Sequence, residues 1–228
     1  MGLHFETSEK LCKYVADKYD GKCYLSFSCG IDSIACFYQL KKYFEKIVPV
    51  YMYCVPNLEF VERQLNYFEN KFDTKIYRFP HPQTVVLLMQ SAYNYKHNSI
   101  SKFFNGYNHD TIYQIIKSAY NLQNDYFIAI GNKQNDNPMR RMSLKKWGSM
   151  NLNRKTFYPI FDWSDQQVAN IINENNCKVP IDYKIFGRSF DGLVYRFMLP
   201  LKKYFPNDYA KIKEYFPLID LEVERSKL

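Results

Sequence analysis

No run of apolar residues in this chain approaches the roughly 20 needed to carry a helix across a bilayer. The first ten residues, M-G-L-H-F-E-T-S-E-K, are charged and contain no apolar signal core. A cytoplasmic protein without a membrane partner is therefore expected. There is no C-x-x-C, and the six cysteines, at 12, 23, 29, 36, 54 and 177, have no zinc-ligand spacing to the four histidines. Several cysteines lie inside apolar runs, where a free thiol behaves as a small core residue, and a reducing compartment fits that usage. Internal repeats and low-complexity segments are absent. Glycine is scarce, with 8 residues in 228, and none is arranged as G-x-x-x-x-G-K-[ST] or G-x-G-x-x-G. That removes the Walker A loop and the dinucleotide fingerprint.

What the chain does contain is an ordinary globular composition, 46% hydrophobic and 24% charged, with a high aromatic share of 18%. This is enough for one sizeable core. The net charge of +8 favours an anionic partner such as a nucleotide polyphosphate, a nucleic acid or a membrane surface, although a dispersed solubility charge has the same sum.

Hydrophobic periodicity alternates between strand and helix along the chain. Strands are expected at Cys23–Phe27, Ile47–Tyr53, Thr74–Phe79 and Tyr126–Ile130, with a short one at 156–160. Pro49 suggests an edge position for the second. Thr7-Ser8 caps a first helix. Asn57 caps another carrying Val61, Leu65, Phe68 and Phe72, and Ser164 opens a third with Val168, Ile171 and Ile172. Ile112, Ile115, Ile116 and Ala119 form one more helical face. Residues 132–153 read as a long polar, basic loop, and 177–228 as a Pro- and aromatic-rich tail with a helix near 208–216. The fold class is α/β: a doubly wound, mostly parallel sheet with helices on both faces and a helical C-terminal extension. Residues 1–165 are expected to form the nucleotide-binding domain, with 166–228 packed on it.

In such a sheet, ligands bind beyond the carboxyl ends of the strands at the switch point. Three loops are expected to converge there: 28–33, 54–58 and 131–145. The first is the most informative. In Ser26-Phe27-Ser28-Cys29-Gly30-Ile31-Asp32-Ser33 a strand passes through small residues into a helix N-terminus, where backbone N–H groups and the helix dipole favour an anion. Three hydroxyls add donors, and Gly30 permits close approach. Asp32 would repel a phosphate unless it caps the helix or a divalent cation lies between them.

S-F-S-C-G-I-D-S resembles the S-x-S-G-G-x-D-S pyrophosphate loop of the PP-loop (N-type) ATP pyrophosphatase superfamily, and within it the phosphoadenylyl-sulfate (PAPS) reductase-like family. Three further segments resemble that family in the same order: Val55-Pro56-Asn57-Leu58-Glu59-Phe60, Ile130-Gly131-Asn132-Lys133 followed by Arg140-Arg141, and Tyr158-Pro159-Ile160-Phe161-Asp162-Trp163-Ser164. The resemblance implies an adenine-nucleotide alpha hydrolase-like fold that binds ATP, or PAPS or APS, with Mg²⁺ at Asp32. It implies that residues 26–33 with Val55, Asn57, Gly131 and Asn132 hold the nucleotide, and that Asp32, Lys133, Arg140 and Arg141 act in catalysis. Three departures stand out: Cys29 occupies a glycine position, the loop after the second strand lacks the family's D-T-G residues, and the tail L-E-V-E-R-S-K-L lacks the E-C-G-[IL]-H segment that carries the reductases' thiol. An AMP-forming pyrophosphatase or adenylyltransferase is thus the first expectation, with a nucleic acid, nucleotide or partner protein among the acceptors. A sulfonucleotide reductase or sulfur-transfer enzyme is the second. A nucleotide- or nucleic-acid-binding module, with or without homo-oligomerisation, is the third.

Two more segments are candidates. In D-Y-K-I-F-G-R-S-F-D-G-L-V-Y-R, residues 182–196, Arg188, Asp191 and Arg196 among aromatics suggest a substrate clamp, or equally a packed tail. The G-R-S-F-D-G string is similar to phage and mobile-element relatives. Residues 93–107, with Lys96 and Lys102, offer a basic aromatic surface or ordinary packing.

Overall fold

The computed structural model describes residues 2–96, 106–119 and 126–225. Lys102 and the turn residue Asn105 lie outside them.

Two compact units are built from interleaved segments. The first comprises Met1–Tyr51, Thr74–Tyr77 and Asn124–Pro180; the second comprises Met52–Asp73, Arg78–Gln123 and Ile181–Leu228. A seven-stranded sheet runs in the order β1 (Gly2–Leu3), β6 (Met150–Asn151), β7 (Thr156–Phe157), β5 (Phe127–Ile130), β2 (Lys22–Ser26), β3 (Lys46–Tyr53), β4 (Tyr77–Pro80). Strand β2 is parallel to both β3 and β5, and β5 is parallel to β7. The chain leaves β2 for β3 on one side and returns to β5 on the other, so the switch point lies between β2 and β5. The expected α/β class and doubly wound sheet are present. The antiparallel pairings of β6 with β1 and β7 were not expected; strands of two residues leave no period to read.

Pro49 does not sit on an edge strand, because β3 lies between β2 and β4. The Val50 carbonyl accepts from the Phe27 N–H at 2.9 Å and so faces β2. Alternation along the strand turns the nitrogen of Pro49 away from that ladder, so no β2 hydrogen bond is lost.

Helix α1 (Ser8–Lys18) begins at the expected cap: the Thr7 hydroxyl accepts from the Lys10 N–H. Helix α7 (Asp165–Glu174) opens on a full capping box formed by Ser164 and Gln167. Helix α2 (Ile31–Lys41) packs against α7, β2 and β5. Leu25, Ile34, Leu40, Ala129 and Phe157 are fully buried in this unit. The 132–153 segment is not a loop throughout. Asn137 caps and Pro138 opens α6 (Pro138–Trp147), a helix with no buried residue.

In the second unit, α3 (Glu59–Phe72) does not take Asn57 as its cap. Asn57 adopts a left-handed φ of 58°, and the capping position falls to Leu58, whose side chain cannot cap. The carboxylate of Asp208 does so from far along the chain, accepting from the N–H groups of Glu59 at 2.6 Å and Phe60 at 3.1 Å. Helices α4 (Pro82–Met89) and α5 (His109–Ala119) follow; α5 buries Ile112, Tyr113 and Ile116 but exposes Ile115. The tail holds four helices rather than one: α8 (Ile181–Phe186), α9 (Tyr195–Tyr204), α10 (Pro206–Tyr215) and α11 (Asp220–Arg225). Phe60, Phe186, Phe190, Phe197 and Phe205 pack ring on ring as its core.

Asp220 is held well below the usual carboxylate range by Lys213, then Lys202, then the Tyr209 hydroxyl, at 2.6, 2.9 and 2.8 Å. A depressed carboxylate contributes stability above its unfolded pKa of about 3.9 and loses it as pH falls through the lower folded value. Its side chain is 38% exposed, so solvent screening keeps the contribution to about 1 kcal/mol or less. Asp220→Asn should lower the urea midpoint slightly at pH 7, and the difference should shrink towards pH 2.

Candidate active site

Strand β2 ends at Ser26, and the loop turns at Cys29, whose φ of 59° lies in the left-handed region. The family pattern places glycine here because that conformation costs an L-residue about 1–2 kcal/mol. The thiol side chain is buried (3% exposed), so Cys29 takes the glycine geometry while filling the core beneath the loop. The loop is braced from within. Ser28 Oγ accepts from the Gly30 N–H at 3.3 Å and donates to Ser33 Oγ at 3.4 Å; Ser33 Oγ donates to the Gly30 carbonyl at 2.8 Å. Phe27 is buried at the floor of the loop.

Gly30, rather than Asp32 or Ser33, is the N-cap of α2, and no side chain caps the helix. The positive end of its dipole favours an anion there, as at other helix N-termini. Ile31 is partly exposed on that first turn. Gly131, directly after β5, has a specific reason to be glycine. A methyl group there would lie 3.0 Å from the Asp32 carbonyl oxygen, 3.1 Å from its carbon and 3.3 Å from the Ser33 nitrogen. The backbones after β5 and β2 are therefore in contact, and the loop's position depends on that contact. Gly131→Ala should push the loop by a few tenths of an ångström. We expect a stability loss of about 1 kcal/mol, read by thermal melting. The Asn132 N–H turns back to the Ile130 carbonyl at 2.9 Å.

Lys133 is the electrostatic centre. Its side chain is 3% exposed and its ammonium pairs with Asp32, with Asp136 at 3.0 Å and with Asp165 at 3.4 Å. Asp136 also pairs with Arg140 and accepts from the Lys133 N–H at 3.0 Å. Burial works against the Lys133 charge, but the hydrogen bonds its ammonium donates to Asp32 and then Asp136 prevail and raise its pKa. Burial would likewise raise Asp136; the Lys133 amide and ammonium, then Arg140, reverse this and hold it below its ordinary value. For Asp32 burial dominates, and its pKa is raised against the pull of Lys133. The Asp136 contribution to stability is lost on acidification through its lowered pKa, and the Lys133 contribution on alkalinisation through its raised one, so the pair is charged across the neutral range.

The loop 28–33 and residues 131–133 are thus brought together, while Asp136 and Asp165 join them without having been singled out in the sequence. Arg140 is engaged by Asp136, and Arg141 Nε lies 3.5 Å from the Gln134 carbonyl. The basic segment that carries Lys133, Arg140, Arg141, Lys145 and Lys146 is therefore partly neutralised by its own neighbours. Val55 and Asn57 belong to the second unit, where Val55 is buried and Asn57 makes the left-handed turn before α3. Arg188 and Asp191 pair with each other on that unit's surface, and Arg196 is exposed on α9. The aromatics between them, Phe190 and Phe197, are core residues.

The match to the phosphoadenosine phosphosulfate reductase domain covers residues 22–184. The chain belongs to this family, in keeping with the loop geometry just described. No curated protein sequence matches it. Among solved structures it is similar to a phosphoadenylyl-sulfate (PAPS) reductase from Candida auris in a phosphate complex, with a TM-score of 0.52, 6% identity, and coverage of 82% of this chain and 87% of that one. An NH₃-dependent NAD synthetase from Campylobacter jejuni is a weaker likeness, with a TM-score of 0.45, 12% identity, and coverage of 96% and 92%. At 6% identity the likeness to the Candida auris structure speaks for the fold alone.

Proposed function

We propose that this protein is an AMP-forming ATP pyrophosphatase or adenylyltransferase, cleaving ATP between the α- and β-phosphates as it activates an acceptor. The observation that carries this reading is the uncapped N-terminus of α2, entered through a left-handed residue and flanked by Ser28 and Ser33. A pyrophosphate moiety would sit at the positive end of the α2 dipole, beside Ser28 and Ser33, a cradle that requires no Walker lysine. An acceptor oxygen attacks the α-phosphorus, the bond to the α,β-bridging oxygen breaks, and the negative charge leaves on pyrophosphate. Lys133 is tied to the loop through its pair with Asp32, and Arg140 and Arg141 lie on the following helix; these cations are the candidates to offset the charge of that leaving group. Orientation and fixed charge provide most of the rate effect in such a reaction.

Among the described residues no group of three or more acidic, histidine or cysteine side chains is arranged to hold a metal. Magnesium commonly binds through one carboxylate and the substrate's phosphates. Asp32, 29% exposed, is the residue here that would share it, and no step above depends on it.

The family match itself favours a second reading, reduction of a sulfonucleotide. It needs a thiolate, and the thiols are poorly placed for that role. Burial raises Cys12, Cys23 and Cys36, and pushes Cys54 up to about 11. Cys177, the one cysteine not buried, has its sulfur 3.1 Å from the Tyr38 hydroxyl. Product analysis separates the readings. AMP and pyrophosphate from ATP support the first; sulfite from PAPS or APS, lost in Cys177→Ser, supports the second.

A further inference from the structure

Among the helices of the first unit, α6 is the one whose presence packing does not explain. None of its ten residues is buried, so burial of an apolar face, the usual source of helical stability, is missing. Its own sequence, P-M-R-R-M-S-L-K-K-W, works against it in three ways. Arg140 and Arg141 stand in the first turn, where the helix dipole disfavours cations. The helix carries four cations and no carboxylate, and Arg141 and Lys145 are like charges at i,i+4. Met139, Met142 and Trp147 are 73%, 65% and 55% exposed. The Asn137 cap, the pair of Arg140 with Asp136 and the favourable place of Lys145 and Lys146 in the last turn offset part of this.

Each of these liabilities becomes an asset against a polyanion that has flat apolar faces. Among the described residues Arg141, Lys145 and Lys146 pair with no carboxylate, and all three are exposed. Met139, Met142 and Lys146 share one face, at i, i+3 and i+7, and Trp147 follows directly. The Lys146 ammonium stands 4.8 Å from the centroid of the Trp147 ring, so charge and π surface are presented together. Methionine is adaptable and favours aromatic contacts. The helix is about 15 Å long, the reach of about four stacked nucleotides. An anionic bilayer would also take the cations, but two methionines and one tryptophan give little apolar surface to insert, and Lys146 interrupts that face. A duplex offers phosphates yet keeps its bases stacked on one another, out of reach of the indole.

We propose that α6 is a docking surface for single-stranded nucleic acid. Lys145 and Lys146 engage phosphates, Arg141 extends the track one turn earlier, and Trp147 stacks on a base with the two methionines against its neighbours. Phosphate contacts and stacking carry little sequence information, so the surface is sequence-tolerant. Its binding is independent of any ATP chemistry.

The test is fluorescence anisotropy of a labelled oligo(dT) single strand with the full chain and no ATP. Raising salt from about 50 to about 200 mM should weaken wild-type binding about 20-fold, the slope for three single-strand phosphate contacts. The double variant Lys145→Gln/Lys146→Gln changes exposed side chains only and should fold normally, which its thermal melt checks. It should bind at least tenfold more weakly at low salt, and the same salt step should cost it only about threefold. Oligo(dT) should quench tryptophan emission in wild type but not in Trp147→Phe, where Trp163 remains as the emitter. Inorganic polyphosphate, which has no bases, should bind without quenching. No oligo(dT) binding at low salt, or unchanged affinity in the lysine double variant, overturns the assignment. Quenching that persists in Trp147→Phe overturns the stacking contact. Tighter binding to a duplex, or to phosphatidylserine vesicles, than to the single strand overturns the choice of partner.

Discussion

Lys133→Met is expected to be among the most destabilising single changes in the first unit. The methionine nearly fills the lysine's volume, so packing loss is small and the effect isolates the charge. Asp32 and Asp136 would then face each other without their shared cation, while Asp165, 93% exposed, stays hydrated. Removing one partner from a buried ion pair costs about 3–5 kcal/mol, and the partial exposure of Asp32 places this case near the lower end. The loss should be largest near pH 8 and should diminish towards pH 4, because carboxylates deprived of a cation regain stability by taking up protons. Urea melts at the two pH values check both the size and the sign. A pH-independent loss would mean that Lys133 acts through its hydrocarbon stem.

Asp208→Ala should be comparably damaging in the second unit. Asp208 is 2% exposed and satisfies two orphan amides at the start of α3. A lost cap costs about 1 kcal/mol and hydrogen bonds to a charged group about 1.5–3 kcal/mol; with the Phe60 amide left buried and unpaired, a total of about 3 kcal/mol is expected. Asp208→Asn, which keeps one acceptor oxygen, should recover about half of it. Hydrogen exchange at Glu59 and Phe60 locates the effect: those amides should lose protection ahead of the rest of α3.

These two residues also show what a linear reading could and could not reach. The strand–loop–helix around Ser28–Ser33 was legible because the apolar period changes from two to three or four across a loop of small residues. The α7 cap was legible because Ser164 and Gln167 carry a local signature. Asp208 capping α3 was not, since the donor amides are 149 positions away in sequence and Asn57 beside them looked adequate. Helix α6 was missed because a helix without a buried face leaves no apolar stripe; Asn137-Pro138 was its sole signal. Pro200 lies within α9 and disguised it, and the six-residue helices α8 and α11 are too short for a period. At the site, the basic segment after β5 suggested free cations. Its own Asp136, and Asp165 from α7, were read as ordinary polar residues, because their meeting at Lys133 is a product of the fold.

The loop at the start of α2 is the central claim, and pyrophosphate release from ATP, measured for wild type, Ser28→Ala and Asp32→Ala at equal folded concentration, tests it most directly. With the loop as the phosphate cradle, Ser28→Ala should reduce turnover several-fold by loosening the brace through Gly30 and Ser33. Asp32→Ala, which also releases Lys133 from its place beside the loop, should reduce it by more than tenfold. Equal turnover in all three proteins would contradict the assignment and place any ATP chemistry elsewhere on the molecule.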